Sequence, residues 1–156
     1  MCGIVGILNF DSRPVSKVLL KKMTDIQSHR GPDDDGIWIE KKIGIGHRRL
    51  AILDLSNFAK QPMFSDDNNY IISYNGEVFN YKSIRNELIK LGYHFSSDSD
   101  TEVVLKSYQE WGEDCVHKFN GMFAFAIWSR HNQTLFLARD RYGICLLYTS
   151  DAADDS

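Results

Sequence analysis

Apolar positions along this chain switch between two periods, and the switches mark out its elements. Ile4–Leu8 is a short apolar run with the β-branching of a buried strand. Asn9-Phe10-Asp11-Ser12-Arg13-Pro14 reads as a turn or loop. Over residues 15–27, Leu19, Met23 and Ile26 recur at i, i+4 and i+7, which predicts an amphipathic helix with these side chains inward. Residues 28–36 are rich in Gly, Pro and Asp and predict a loop. Ile37–Glu40 and Ile43–Arg48 predict two strands, and Ala51–Leu55 is a further apolar run. Residues 56–69 are polar and predict a loop and turn.

In the second half, Tyr70–Tyr74 predicts a strand running straight into Asn75-Gly76-Glu77. Asn80 is placed to cap a helix over 81–91, with Tyr81, Ile84, Leu88 and Leu91 on its inward face and Gly92 as its stop. Ser99 and Glu102 have capping-box spacing and open a helix to residue 111, with Val104, Tyr108 and Trp111 inward. Met122–Trp128 and Thr134–Arg139 are strong strands joined by a hairpin over Ser129–Gln133. Interspersed helices and strands with a hairpin predict an α+β fold of stacked sheets and helices.

Composition narrows the classes. At 156 residues, with 43% hydrophobic and 25% charged, the chain is expected to form one soluble domain with a substantial core. A net charge of −3 offers no basic stripe for nucleic acid. No apolar run approaches the ~20 residues of a membrane span, and no secretory signal layout opens the chain. Cys2, Cys115 and Cys145 are odd in number and widely spaced, so they read as free thiols of a reducing compartment, expected to be the cytoplasm.

The chemistry concentrates in a few places. Removal of Met1 would give Cys2 a thiol and a free α-amine on one residue. An α-amine titrates at roughly pH 7.7–8.0 and a thiol at roughly 8.5, so the amine can take the thiol proton without a histidine. Asn75 and the Gly76 N–H are a candidate oxyanion pair, against the competing reading of Asn-Gly as a tight hairpin turn. Arg48 and Arg49 end a strand, where an arginine could grip a carboxylate, or form a solvated charge pair. Glu77 and Asp100 are candidates for facing a ligand ammonium, with helix N-terminal acid as the simpler role of Asp100. Asp33-Asp34-Asp35 lacks calcium-loop spacing and reads as a solvated turn; no metal site is expected. His29 and His47 have no partner at zinc-ligand spacing and read as core or hydrogen-bonding histidines.

Taken together, these residues resemble the class II glutamine amidotransferase domain of the asparagine synthetase family. The resemblance is carried, in family order over residues 1 to about 144, by several segments. They are Met1-Cys2-Gly3-Ile4, His29-Arg30-Gly31-Pro32-Asp33, His47-Arg48-Arg49-Leu50-Ala51-Ile52, Asn75–Tyr81, Ser99-Asp100-Thr101-Glu102, Gly121–Ala126 and Arg139-Asp140-Arg141-Tyr142-Gly143. It implies an Ntn-hydrolase fold, a four-layer αββα sandwich with two antiparallel sheets. It implies Cys2 as nucleophile and Asn75 with Gly76 as oxyanion hole. It also implies a glutamine pocket of Arg49, Leu50, Ala51, Ile52, Leu53, Asn75, Gly76, Glu77 and Asp100. Arg49 would clamp the carboxylate, and Glu77 and Asp100 the α-ammonium. No cofactor is implied for this chain; ATP and Mg2+ are implied for a synthetase domain that would receive the ammonia, and a homodimer for the full enzyme.

The family pattern continues Lys-Pro-Leu-Tyr where this chain reads Cys145-Leu146-Leu147-Tyr148 and then a polar, acidic stretch. The expectation is an amidotransferase domain over 1–144 and a non-family tail over 145–156. That tail is expected to be disordered or the product of a frameshift, a chimeric join or read-through. Two alternatives stand beside the asparagine synthetase reading: the glutaminase half of another class II amidotransferase, and a non-catalytic truncated remnant.

Overall fold

The structure, a computed structural model, describes residues 1–51 and 57–150. Strands β1 (Gly3–Leu8), β2 (Asp34–Glu40) and β3 (Ile43–Arg49) form one antiparallel sheet in the order β1-β3-β2. Strands β4 (Met63–Phe64), β5 (Tyr70–Val78), β6 (Gly121–Ser129) and β7 (Thr134–Arg139) form a second in chain order, also antiparallel. Helix α1 (Lys17–Ile26) packs on the first sheet, and α3 (Asp100–Trp111) packs on β5 and on α2 (Tyr81–Lys90). The sheets meet through β1, β3 and β5. The layers therefore run helix, sheet, sheet, helices: the αββα sandwich implied by the family resemblance.

Alternation along β5 divides the core. Ile71 faces the first sheet with Ile43, Ile45 and Trp128, while Ile72, Tyr74 and Val78 face the helices with Ile84, Leu88, Val103 and Val104. Helix α3 is buried from Asp100 to Ser107, and even Lys106 is enclosed, its ammonium on Asp66 at 2.7 Å and Glu102 at 3.5 Å. Among the described residues, no helix is long and apolar enough to cross a membrane.

Several expectations are corrected. Helix α1 buries Leu20 and Thr24, whereas Leu19 and Ile26 are exposed. The cause lies on another element. A Cβ at Gly44 would stand 2.8 Å from Val15 and 3.0 Å from Leu20, and one at Gly46 2.3 Å from the Thr24 hydroxyl. This glycine trough in β3 lets the helix settle along its Leu20–Thr24 stripe. Asn75-Gly76 is neither a turn nor a strand end: β5 continues to Val78, with Asn75 opposite Ala124 and Gly76 opposite Phe123. Leu91 is exposed rather than inward, one residue beyond the end of α2. Asn80 caps nothing with its side chain, which bonds Lys118 O and Asn120 N instead. Ser99 does cap α3 by accepting from Thr101 N, while Glu102 reaches back to the N–H groups of Ser96 and Ser97.

His47 is a core histidine, 1% exposed, with Nδ1 at 3.1 Å from Ser73 Oγ between the two sheets. Burial first, and the nearby Arg49 charge second, lower its pKa to about 3. The unfolded chain protonates this ring at about pH 6.5, the native chain only near 3, so between these values the unfolded state holds the extra proton. Stability is therefore full above pH 6.5 and declines as pH falls toward 3. We expect a His47→Asn variant to lose about 2 kcal/mol less than wild type between pH 6.5 and 5. Chemical denaturation at the two pH values measures this, and equal losses would rule it out.

Candidate active site

Four elements bring the candidate residues to one open cleft. Its lining includes Met1 and Cys2 just ahead of β1, and Arg49, Leu50 and Ala51 at and after the end of β3. Asn75, Gly76 and Glu77 come from β5, and Asp100 from the first turn of α3. Ile52 and Leu53 lie outside the described residues. Of the paired arginines, strand alternation separates the roles. Arg48 is spent on Thr24 O and on the carboxylates of Asp25 and Asp35, while Arg49 is buried and lines the cleft.

Cys2 is held at both ends. Arg30 Nε donates to its carbonyl at 3.1 Å, and Leu50 N–H donates to Sγ at 3.3 Å, with Leu50 O at 3.7 Å as acceptor for the thiol. Burial pushes the thiol pKa up. The Leu50 N–H, the chain's amino terminus and Arg49 act against that, and the Asp100 charge adds to it.

The loop expected as a solvated acidic turn supports this corner instead. Asp33 N–H donates to Arg49 O at 3.0 Å and its carboxylate accepts from Ala51 N at 2.8 Å, bracketing Leu50. Asp34 and Asp35 belong to β2, opposite Arg49 and Arg48, and face the cations Lys60, Lys21 and Arg48. Those cationic neighbours, distant in sequence, are why the acidic run is not simply solvated. His29 is exposed, with Nδ1 at 3.1 Å from Ile26 O.

Backbone parity on β5 sets the far wall. Tyr74 N–H and C=O turn away from β6 and are taken by the Gln61 side-chain amide, at 2.6 and 3.1 Å. Val78 N–H turns the same way and donates to Asp100 Oδ2 at 3.0 Å. Gly76 lies between them in the same phase, so its N–H points to that open edge. A Cβ at Gly76 would stand 2.3 Å from Met122 O and 2.7 Å from Phe123 Cα, so only glycine fits there. Beside it Asn75 is buried, and its Oδ1 has no partner among the described residues. The Asn75 side-chain N–H groups, which make no hydrogen bond among the described residues, stand next to an outward N–H, an arrangement able to donate to an anionic oxygen.

The family described as "Glutamine amidotransferase domain" matches residues 1–156. The chain belongs to this glutamine amidotransferase domain family. Among its relatives, asparagine synthetase [glutamine-hydrolyzing] 3 of Bacillus subtilis is 47% identical over 148 residues, covering 92% of this chain and 24% of that protein. Asparagine synthetase [glutamine-hydrolyzing] 1 of the same organism is 42% identical over 159 residues, covering 99% of this chain and 25% of that protein. The chain thus spans about a quarter of the length of these relatives. In fold it is similar to the glutamine phosphoribosylpyrophosphate amidotransferase of B. subtilis, solved with ADP and GMP. That likeness has a TM-score of 0.69 at 20% identity, over 88% of this chain and 37% of that one.

Within this amidotransferase domain the sequence reading missed several cleft residues. Tyr74, Gln61, Ser99, Thr101, Met122 and Cys145 also line it. Strand parity next to Asn75 could have pointed to Tyr74, because it puts the Tyr74 side chain on the α3 side; Gln61 carries no signal beyond preceding Pro62. Asp140, quoted only as part of a motif, is a buried knot: its carboxylate accepts from the N–H groups of Phe123, Tyr142, Ile144 and Cys145.

Proposed function

We propose that this chain hydrolyses the side-chain amide of glutamine to glutamate and ammonia, as the glutaminase part of a glutamine-hydrolysing asparagine synthetase. The observation that carries the reading is the convergence of a thiol, a buried guanidinium, two carboxylates and an uncommitted amide on one cleft. Glutamine is a zwitterion with a neutral reactive end, so its site needs a cation, one or two anions, and donors aimed at a developing oxyanion.

In this mechanism Met1 is removed and the α-amine of Cys2 takes the thiol proton. Sγ forms a bond to the amide carbon and the carbonyl oxygen becomes an oxyanion between the Asn75 side chain and Gly76 N–H. The C–N bond then breaks, and the leaving nitrogen accepts the proton as ammonia. Water attacks the thioester, releasing glutamate and restoring the thiol. Arg49 holds the α-carboxylate, and Glu77 and Asp100 the α-ammonium, with Leu50–Leu53 completing the pocket. These groups all lie within residues 1–144, the proposed catalytic unit, and the steps call for no cofactor. In the full-length enzyme the ammonia passes to activated aspartate in a synthetase domain that uses ATP and Mg2+. A homodimer and a cytoplasmic location belong to the same reading.

The test is an intact mass spectrum of the purified chain with and without the diazoketone analogue of glutamine, 6-diazo-5-oxonorleucine. Loss of Met1 and a single adduct on Cys2, blocked by excess glutamine, is expected. A processed chain that takes no adduct would overturn the proposal and favour a non-catalytic remnant.

A further inference from the structure

Asp100 sits in an unusual place for a ligand-facing carboxylate. It is 5% exposed, and burial raises its pKa, with the Glu77 charge adding to that. Against this stand chiefly two hydrogen bonds, with Asp100's own backbone N–H acting the same way: Tyr74 Oη–H donates to Oδ2 at 2.6 Å and Val78 N–H donates to the same oxygen at 3.0 Å. Both favour the ionised form. The two converge on Oδ2, so that oxygen is pinned, while Oδ1 accepts from no side chain among the described residues.

Tyr74 is itself rigidly placed. Its side chain is 2% exposed, and its backbone N–H and C=O are both bonded to the Gln61 amide, which also donates to Thr101 Oγ1 at 3.3 Å. Gln61 thus ties β5 to the first turn of α3, where Asp100 lies. The hydroxyl has no other hydrogen-bond partner than Asp100 among the described residues. The other titratable or charged groups lining the cleft are the chain's amino terminus and Cys2 just ahead of β1, Arg49 from β3, Glu77 from β5 and Cys145 after β7. Of these only Arg49 is a fixed cation, so a donor at 2.6 Å is the closest stabiliser of the charge on Asp100.

We infer that Tyr74 is a positioning residue for amino-acid recognition, holding Asp100 ionised and oriented so that its second oxygen accepts the α-ammonium of the substrate. The inference rests on the glutamine reading above and adds a specificity determinant to it: the site selects α-amino acids over amides that lack the ammonium.

The test is Tyr74→Phe in the 156-residue chain, which keeps the buried ring and removes one donor. KM for glutamine should rise about tenfold while kcat stays close to wild type, since the ammonium is remote from the reacting carbon. The acid limb of kcat/KM should move to higher pH, because the carboxylate loses a bond that favours its charge. Preference for glutamine over glutaric acid monoamide, which has the amide and one carboxylate but no α-ammonium, should shrink. In an Asp100→Asn background the substitution should add little, as residues acting through one group do not add.

A variant with unmoved KM and acid limb, an equal loss on both substrates, or additive losses with Asp100→Asn would overturn the inference. So would a Tyr74→Phe chain without a cooperative melt, since the hydroxyl would then serve folding. A wild-type chain that releases no ammonia from glutamine overturns the glutamine reading itself, and this inference with it.

Discussion

Cys2→Ala abolishes ammonia release from glutamine, by at least about 10⁴-fold, and leaves the fold in place. Among the described residues lining the cleft, no other group pairs a thiol with the α-amine. Cys145 also lines it, but, unlike a processed Cys2, it carries no α-amine to take the proton of a thiol whose pKa burial and the Asp140 charge raise. The cost to the fold is small because Cys2 is only half-buried and its sulfur bonds only the Leu50 backbone among the described residues. The Arg30 contact is to the Cys2 carbonyl and survives the substitution.

Thermal melts should therefore superpose while both ammonia release and diazoketone labelling vanish. Retained labelling in Cys2→Ala would place the nucleophile elsewhere. The pH dependence carries a second signature. Burial holds the Cys2 thiol above its usual range, so the neutral-pH reaction depends on a local base rather than on standing thiolate. That base is the α-amine, and a chain that keeps Met1 holds it one residue away from the sulfur. Activity should track the processed fraction, which one mass spectrum reports alongside the rate.

Much of this was legible in the sequence because the segments that line the cleft are short and local. Asn75-Gly76-Glu77 is contiguous, and so is Arg49-Leu50-Ala51, so one motif delivers several groups at once. The α+β class was legible from the strand and helix periods, which rarely conflict here; the layer order came from the family resemblance. What escaped is what depends on pairs distant in sequence. The inward face of α1 is set by Gly44 and Gly46 on β3, so the helix's own apolar pattern points to Leu19 and Ile26 rather than Leu20 and Thr24. Asn75-Gly76 reads locally as a turn, and only pairing with Ala124 and Phe123 on β6 keeps it extended. Asp33 reads as solvated until the Ala51 N–H is seen against it. Tyr74 reads as an ordinary strand aromatic because its partner, Asp100, is on another element.

That extended conformation decides the second large effect. In a tight turn Asn75 and Gly76 would aim their groups at solvent. In β5 they project from adjacent positions in opposite phases: the Asn75 side chain to the cleft face, the Gly76 N–H to the open edge. A tetrahedral oxyanion has its negative charge on an oxygen that the ground-state amide carries only as a weak dipole. Donors placed for that oxygen therefore act mainly on the barrier. Asn75→Ala should lower kcat for ammonia release by about 10²–10³ with KM for glutamine nearly unchanged. The substitution leaves no donor on Oδ1 stranded, because that atom has no partner among the described residues, so the melt should remain cooperative. The thioether adduct with the diazoketone offers a check independent of turnover: Asn75→Ala should still bind the analogue but label Cys2 more slowly. A loss confined to KM would assign Asn75 to holding the substrate rather than to stabilising the oxyanion, and would leave Gly76 N–H as its only stabiliser in this cleft.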